Sequence, residues 1–130
     1  MGTGEPLAFT RDDERRIRRM VAGLERAGEV RISVYIGAAA GQSRLFARRL
    51  LAVLGRQASC GLVIAVDPVA RTVEIVTGPA AAAHFDTAAC AHAVAAMTAR
   101  LPHGLAAGIA AGLQVLADQA PYPVAFDVGR

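Results

Sequence analysis

The stretch CGLVIAVDPVARTVEIVTGP, residues 60–79, decides the fold of this chain. Residues 61–66 form a short apolar run, which is typical of a strand that is buried on both faces. Residues 67–71 contain an aspartate and a proline, which favour a tight turn. Thr72–Thr77 then alternates polar and apolar side chains, as a strand nearer the edge of a sheet would. The stretch therefore predicts a β-hairpin, closed by Gly78-Pro79 at the start of a helix.

The residues before the hairpin predict two helices and a first strand. Thr10, with Asp13 three residues later, is close to a capping box, and apolar residues recur at helical spacing until Gly28 ends the helix. Residues 30–37 alternate in the manner of a strand. Ser43 is expected to cap a second helix. The buried stripe of that helix is expected to consist of Phe46, Leu50, Val53 and Leu54.

The residues after the hairpin predict only helices. One helical turn follows directly, and Asp86 is placed to cap a helix that runs through Arg100. A last helix is expected over Leu105–Gln119, where large apolar residues recur at helical spacing. Gly108 and Gly112 on this helix permit close packing against a neighbouring element.

The predicted order of elements is α-β-α-β-β-α-α. A helix connects the first two strands, so we expect them to be parallel with a right-handed crossover, whereas the hairpin is antiparallel. We therefore expect an α/β fold, in which a small mixed β-sheet carries helices on both faces of a single domain. The domain should span residues 10–120, between an N-terminal tail, 1–9, and a C-terminal segment, 121–130, that is either an edge strand or a disordered tail.

The charge of the chain is unevenly distributed. All fourteen basic residues are arginine, and the net charge is +3. Residues 11–56 hold eleven arginines and five acidic residues, a net charge of +6. A solvated helix face explains this pattern, and a peripheral anionic surface bound by the first helix is the alternative. No aromatic residues interleave with these arginines, which argues against nucleic acid as a partner.

No targeting or membrane-spanning segment is visible. The apolar runs are too short and too often broken by glycine to cross a bilayer, and residues 1–10 lack the pattern of a signal peptide. We therefore expect a cytoplasmic protein without a transmembrane segment. Cys60 and Cys90 both lie beside apolar segments, and we expect two buried, reduced thiols.

Ligands of open α/β sheets bind at the carboxyl ends of the strands. In this chain that rim is predicted to carry Gly37, Gly41, Ser43, Asp67 and Arg71. The loop from the first glycine to the serine follows a strand and opens a helix, as a phosphate loop does. However, only three residues separate its glycines, and glutamine precedes the serine where a lysine is required. These departures disfavour a nucleotide site.

The opposite rim carries Thr77 and Gly78, with Asp86 expected close by. His84, Cys90 and His92 follow in sequence, but the last two do not share a helix face and no zinc-binding spacing accompanies them. The residues by themselves identify no catalytic group.

Several segments carry a resemblance to the TPM domain family, and more closely to the bacterial branch catalogued as DUF5130. They are residues 31–37, 61–78, the helix after Asp86, and 104–120. The resemblance implies an α/β sandwich, and in some members a calcium or other divalent-cation site and weak phosphatase activity. Asp86 matches one acidic position of that site. The family's Gly-Asp pair before the last helix is replaced here by Pro102-His103-Gly104-Leu105.

A single carboxylate is too few for calcium, which takes six to eight oxygen ligands. Our leading hypothesis is therefore a non-catalytic, soluble module of the TPM type that acts through contacts with an unknown protein partner and needs no cofactor. The first alternative is a weak divalent-metal-dependent phosphatase, with Asp86 as a ligand of calcium or magnesium. The second is binding to an anionic surface through the arginine-rich first helix.

Overall fold

A computed structural model of the 130-residue chain describes residues 9–126. Of the predicted N-terminal tail, only Phe9 lies within this part. The helices in it are α1 (Arg11–Gly28), α2 (Ser43–Val53), α3 (Pro79–Ala82), α4 (Thr87–Arg100) and α5 (Leu105–Gln119). The strands are β1 (Arg31–Ile36), β2 (Gly61–Asp67) and β3 (Thr72–Thr77). Short 3-10 turns follow α2, at Gly55–Ala58, and α4, at Leu101–His103.

The three strands form one open sheet in the order β1-β2-β3. β1 runs parallel to β2, with Arg31 opposite Gly61, and β2 runs antiparallel to β3, with Asp67 opposite Thr72. This arrangement confirms the predicted α/β class, the mixed sheet and the hairpin. It also makes β1 and β3 the two edges of the sheet.

The sheet separates two hydrophobic cores. α1, α4 and α5 cover one face, where residues such as Leu24, Ile64 and Leu113 are fully buried. α2 covers the other face, where Ala47 and Leu51 pack against alternate residues of β2. Because helices cover both of its faces, every residue of β2 is buried.

The predicted buried stripe of α2 is wrong at Val53, whose side chain is 81% exposed. The residues that α2 buries instead are Ala47 and Leu51, and Leu54 packs beside them. These positions are separated by four and three residues, which places them on one side of a helix. Val53 lies one residue, about 100° of rotation, away from that side.

α1 begins and ends as predicted. Thr10 and Asp13 each bond the backbone N–H of the other at 3.0 Å, which completes the capping box. Gly28 is the last residue of the helix, and Glu29 after it takes the left-handed conformation with φ 53°. A Cβ on Gly28 would collide with the hydroxyl of Tyr122, so this glycine also serves close packing.

The glycines of α5 confirm the predicted close approach to another helix. A Cβ on Gly112 would collide with the side chain of Met97 on α4, which is fully buried. A Cβ on Gly108 would lie 2.7 Å from a methyl group of Leu101. The small side of α5 therefore brings the α4–α5 pair into tight contact.

The segment after α5 returns to α1. Residues 121–126 form neither a helix nor a strand, so they contain no edge strand. Val124 and Phe126 are half-buried against the main core, and a Cβ on Gly23 of α1 would lie 2.9 Å from the Phe126 ring. The rest of the predicted C-terminal tail, residues 127–130, lies outside the described residues.

Candidate functional site

The first predicted rim brings Asp67 and the loop after β1 together. Asp67 is only 8% exposed, and its Oδ1 accepts the N–H groups of Val69 at 3.1 Å and Ala70 at 3.0 Å. Its Oδ2 accepts the N–H of Ala39 at 3.2 Å. The N–H groups of Ala70 and Ala39 lower the pKa of this carboxyl most strongly, against the opposing effect of burial. Asp67 thus joins the hairpin turn to the loop of residues 37–42.

The other predicted residues of this rim do not converge on Asp67. Arg71 is exposed in the turn, with left-handed backbone at φ 60°, and makes no hydrogen bond or ion pair within residues 9–126. Gly41 is also left-handed, at φ 70°, and a Cβ there would meet no atom within 4 Å. Gly37 follows directly after β1, and its N–H donates to the carbonyl of Val66 at 2.9 Å. The residues predicted for this rim therefore lie in loops that are joined by backbone hydrogen bonds, and they do not form one cluster of side chains.

Ser43 lies away from Asp67 and faces β3. It is the first residue of α2 rather than its cap, and its Oγ donates to Oε2 of Glu74 at 2.6 Å. Arg44 places Nη1 3.4 Å from Glu74 Oε1 and 3.5 Å from the carbonyl of Ile75. Sequence reasoning missed Glu74 and Arg44 as partners of Ser43. The signal was present, because Glu74 is the one charged residue within Thr72–Thr77.

At the opposite rim, Gly78 has a packing role. Its N–H donates to the carbonyl of Gly61 at 3.0 Å. A Cβ on Gly78 would collide with the carbonyl oxygen of Ala58 and lie 2.5 Å from that of Ser59. Thr77, the last residue of β3, is half-buried. At this rim the backbone of Gly78 therefore packs directly against the backbone of residues 58–59, which leaves no space there for a side chain.

Asp86 caps α4, and its Oδ1 accepts the N–H of Ala89 at 2.9 Å. Within residues 9–126 no group of three or more His, Cys, Asp or Glu side chains is placed to hold a metal ion. The observed role of Asp86 is that of a helix cap, and its role as a metal ligand stays a prediction.

The cysteines and histidines are engaged separately. Cys60 and Cys90 are both free thiols, and Cys90 is buried as predicted, but the predicted burial is wrong for Cys60, which is only partly buried. Burial, with the nearby Asp86 carboxylate acting in the same direction and Arg44 against it, raises the pKa of Cys90 to about 11. Cys90 therefore stays protonated at neutral pH and is unsuited to act as a nucleophile. The ring of His84 packs edge-on against Tyr122, and Nδ1 of His92 lies 2.7 Å from Nε2 of Gln119.

The outer edge of β1, called the β1 edge below, is a candidate binding surface that the sequence did not indicate. Arg31 donates its N–H to the carbonyl of Cys60, and Gly37 donates its N–H to the carbonyl of Val66. Ile32, Val34 and Ile36 alternate with the residues that bond β2, so their N–H and C=O groups point away from β2. Glu25 of α1 accepts the N–H of Ile32 at 2.9 Å. The outward N–H groups of Val34 and Ile36 have no acceptor within residues 9–126.

A groove of about 510 Å³ lies between α1 and the β1 edge. Its apolar lining residues are Phe9, Ile17, Val21, Ile32, Val34 and Ile36, and its polar ones are Glu14, Arg18, Glu25, Arg31 and Ser33. The outer backbone of β1 therefore lies beside a cleft of mixed apolar and polar lining, with charges of both signs. Such an arrangement can accept an additional strand, whose alternate side chains would enter the cleft.

Comparison with known proteins adds a family and a fold. A family model described as "Domain of unknown function (DUF5130)" matches residues 3–117. A search of curated proteins found no match. Among solved structures, the fold is similar to that of BA42 protein from the psychrophilic bacterium Bizionia argentinensis, determined by NMR. The TM-score is 0.64 at 17% sequence identity, over 88% of this chain and 85% of that chain, a likeness that shows the fold alone.

None of the helices within residues 9–126 combines the length and the apolar character needed to cross a membrane.

Proposed function

The chain belongs to the DUF5130 family, and we propose that it is a non-catalytic module. In this proposal it binds an extended segment of a partner protein at the β1 edge. The observation that carries the proposal is the groove along α1 beside Val34 and Ile36, whose outward N–H groups have no acceptor within residues 9–126. A strand that adds to a sheet edge gains main-chain hydrogen bonds, while neighbouring pockets select its side chains.

The shape and chemistry of the groove favour an extended occupant. Val34 and Ile36 are two residues apart, so their outward groups repeat about every 6.6 Å, which is the repeat of a second strand. The apolar lining suits an aliphatic or aromatic side chain at alternate positions of the peptide. Glu14 and Arg18 on α1, with Glu25 and Arg31 nearer the strand, offer both signs of charge for orienting it.

The side chains that a catalytic mechanism could use have structural roles instead, which supports a non-catalytic module. Asp67 is occupied by three backbone N–H groups, and Asp86 by the cap of α4. Cys90 is a protonated, buried thiol at neutral pH. We further propose that the module is of the TPM type. We also propose that it acts in the cytoplasm, and fluorescent tagging and cell fractionation would test this location.

The metal-dependent phosphatase stays an alternative without a specific observation in its favour. Calcium, magnesium or manganese would raise the melting temperature if it bound the folded state alone. We expect no shift at millimolar metal and no turnover of an aryl phosphate. A shift that Asp86→Asn abolishes would instead restore this alternative.

The strand-addition proposal is tested by selecting peptides from a displayed random library on the immobilised full-length protein. Ile36→Lys places a charge at the open edge, which natural proteins use to block strand addition. Val69→Lys is the matched control, because Val69 is an exposed apolar residue at the hairpin tip, away from the groove. We expect Ile36→Lys to weaken binding of a selected peptide by at least about tenfold, which is 1.4 kcal/mol, and Val69→Lys to leave it unchanged.

Amide hydrogen exchange provides the second measurement. Binding should protect the amides of Val34 and Ile36, because their N–H groups then enter a ladder. Equal loss of affinity in the two lysine variants, or no added protection at these amides, would refute the assignment. A dimer of the free protein that Ile36→Lys dissolves would assign the edge to a second copy instead.

A further inference from the structure

The solvent side of α2 and the 3-10 turn after it form a second surface, independent of the groove. It consists of Leu45, Arg48, Arg49, Val53 and Arg56, called the α2 face below, and all five residues are exposed. Leu45 is 48% and Val53 81% exposed, so the face combines two large apolar side chains with three arginines. No acidic residue occurs anywhere in residues 37–66.

The charge around these arginines differs from that on α1. α1 has six arginines and four acidic residues, a net charge of +2, and two of its arginines are paired, Arg15 with Asp12 and Arg18 with Glu14 at 2.6 Å. Residues 43–56 hold four arginines and no acidic residue, a net charge of +4. Within the described part of the chain, Arg48, Arg49 and Arg56 have no hydrogen bond or ion pair. The larger net positive charge therefore lies on the second helix and the turn after it, whereas the sequence suggested an anionic contact at the first.

The helix also presents these groups together and in a fixed orientation. At 3.6 residues per turn, Leu45, Arg48, Arg49 and Val53 lie within about 140° of one another. Ala47 and Leu51 on the opposite side are buried against the sheet, so α2 cannot rotate to hide Leu45 or Val53. Arg56 extends the positive charge beyond the end of the helix.

We propose that the α2 face docks the protein peripherally on a bilayer that contains anionic lipids. Guanidinium groups bind lipid phosphate and carboxylate groups, while Leu45 and Val53 enter the apolar boundary beneath them. The two exposed aliphatic side chains would make no favourable contact with the phosphate backbone of a nucleic acid, and the α2 face has no aromatic residue that could stack on bases. A bilayer is therefore a better partner for this face than nucleic acid. A single convex helix face also suits a flat partner.

Co-sedimentation with lipid vesicles tests the proposal on the full-length protein. We expect binding to vesicles of phosphatidylcholine mixed with phosphatidylserine, weaker binding in high salt, and none to pure phosphatidylcholine. Each arginine near such a surface contributes roughly fivefold to the partition coefficient. Arg48→Glu with Arg49→Glu should therefore lower it by at least about 25-fold.

Matched controls separate the α2 face from net charge and from general hydrophobicity. Arg11→Glu with Arg16→Glu makes the same change of charge on α1 and should retain most of the binding. Val53→Ser should weaken binding several-fold, whereas Val69→Ser, at a valine that is 89% exposed on the hairpin tip, should not.

Three results would overturn the proposal. The first is no sedimentation with the anionic vesicles. The second is an equal loss in the two double-charge variants, which would show attraction by net charge alone. The third is tighter binding to polyglutamate or to DNA than to vesicles, which would assign the α2 face to another class of partner. The peptide selection at the β1 edge is unaffected by each of these results, because α1 and α2 lie on opposite faces of the sheet.

Discussion

The two edge strands have six residues each, but their surroundings differ. At the β3 edge, Arg44 lies 3.5 Å from the outward carbonyl of Ile75, and α2 and α4 pack against the strand. At the β1 edge, Glu25 accepts the outward N–H of Ile32, and the strand borders the groove along α1. The outward N–H groups of Val34 and Ile36, like those of Val73 and Ile75, have no acceptor within residues 9–126. The edges therefore differ in the groove rather than in the number of bonded backbone groups, and the groove is the basis of the strand-addition proposal.

The largest effect is expected where β3 ends, in Gly78→Ala. The new Cβ would collide with the carbonyl of Ala58 and approach that of Ser59, and backbone atoms cannot rotate away as a side chain can. We expect the free energy of unfolding, measured in urea, to fall by about 3 kcal/mol or more.

The control for this variant is Gly41→Ala in the loop after β1. There a Cβ meets open space, and only the left-handed backbone opposes it, at about 1–2 kcal/mol. Equal losses in the two variants would show that the exit of β3 is no more tightly held than the loop that follows β1.

Much of this architecture was predictable, because local patterns determine it. The hairpin, the capping box at Thr10 and the last helix were all predicted, and each depends on residues that are close in sequence. The parallel pairing of the first two strands also followed, from the helix that connects them.

The candidate site was not predictable in the same way. Residues 31–36 alternate like any strand, and it is the order of the strands in the described part of the chain that leaves no strand on the outer side of Val34 and Ile36. Ser43 and Glu74 are 31 residues apart, and the contact of Gly28 with Tyr122 joins positions that are more distant still in sequence. Val53 was misplaced because spacing alone does not determine which side of an alanine- and leucine-rich helix faces the sheet.

Asp67 links the two edges, because it bonds both the loop that leaves β1 and the turn that enters β3. Its backbone N–H donors lower the pKa of the carboxyl in the folded state. The ionised form therefore stabilises the fold above the ordinary aspartate pKa of about 3.9, and this stabilisation is lost as the pH falls through the lower folded value. We expect Asp67→Asn to be less stable than the wild type at neutral pH, by less than Gly78→Ala.

The measurement for Asp67 is the free energy of unfolding as a function of pH. The difference between the wild type and Asp67→Asn should shrink as the solution is acidified below the ordinary aspartate pKa. Parallel curves over the whole acid range would show that the carboxylate charge does not hold the two loops together.

The smallest change in stability, and the most direct test of the comparison between the edges, is expected from Arg44→Met. Arg44 is exposed, and its contacts with Glu74 and Ile75 are long, so removing its charge should cost about 1 kcal/mol or less. The same change uncovers the carbonyl of Ile75, the outward backbone group of β3 that a side chain contacts. We expect concentration-dependent self-association in analytical ultracentrifugation that Ile36→Lys does not suppress. Arg48→Met, which removes an arginine without a partner from the same helix, should behave as the wild type. If both methionine variants stay monomeric, then Arg44 does not protect the β3 edge, and the contrast with β1 must arise from the way α2 and α4 pack against β3.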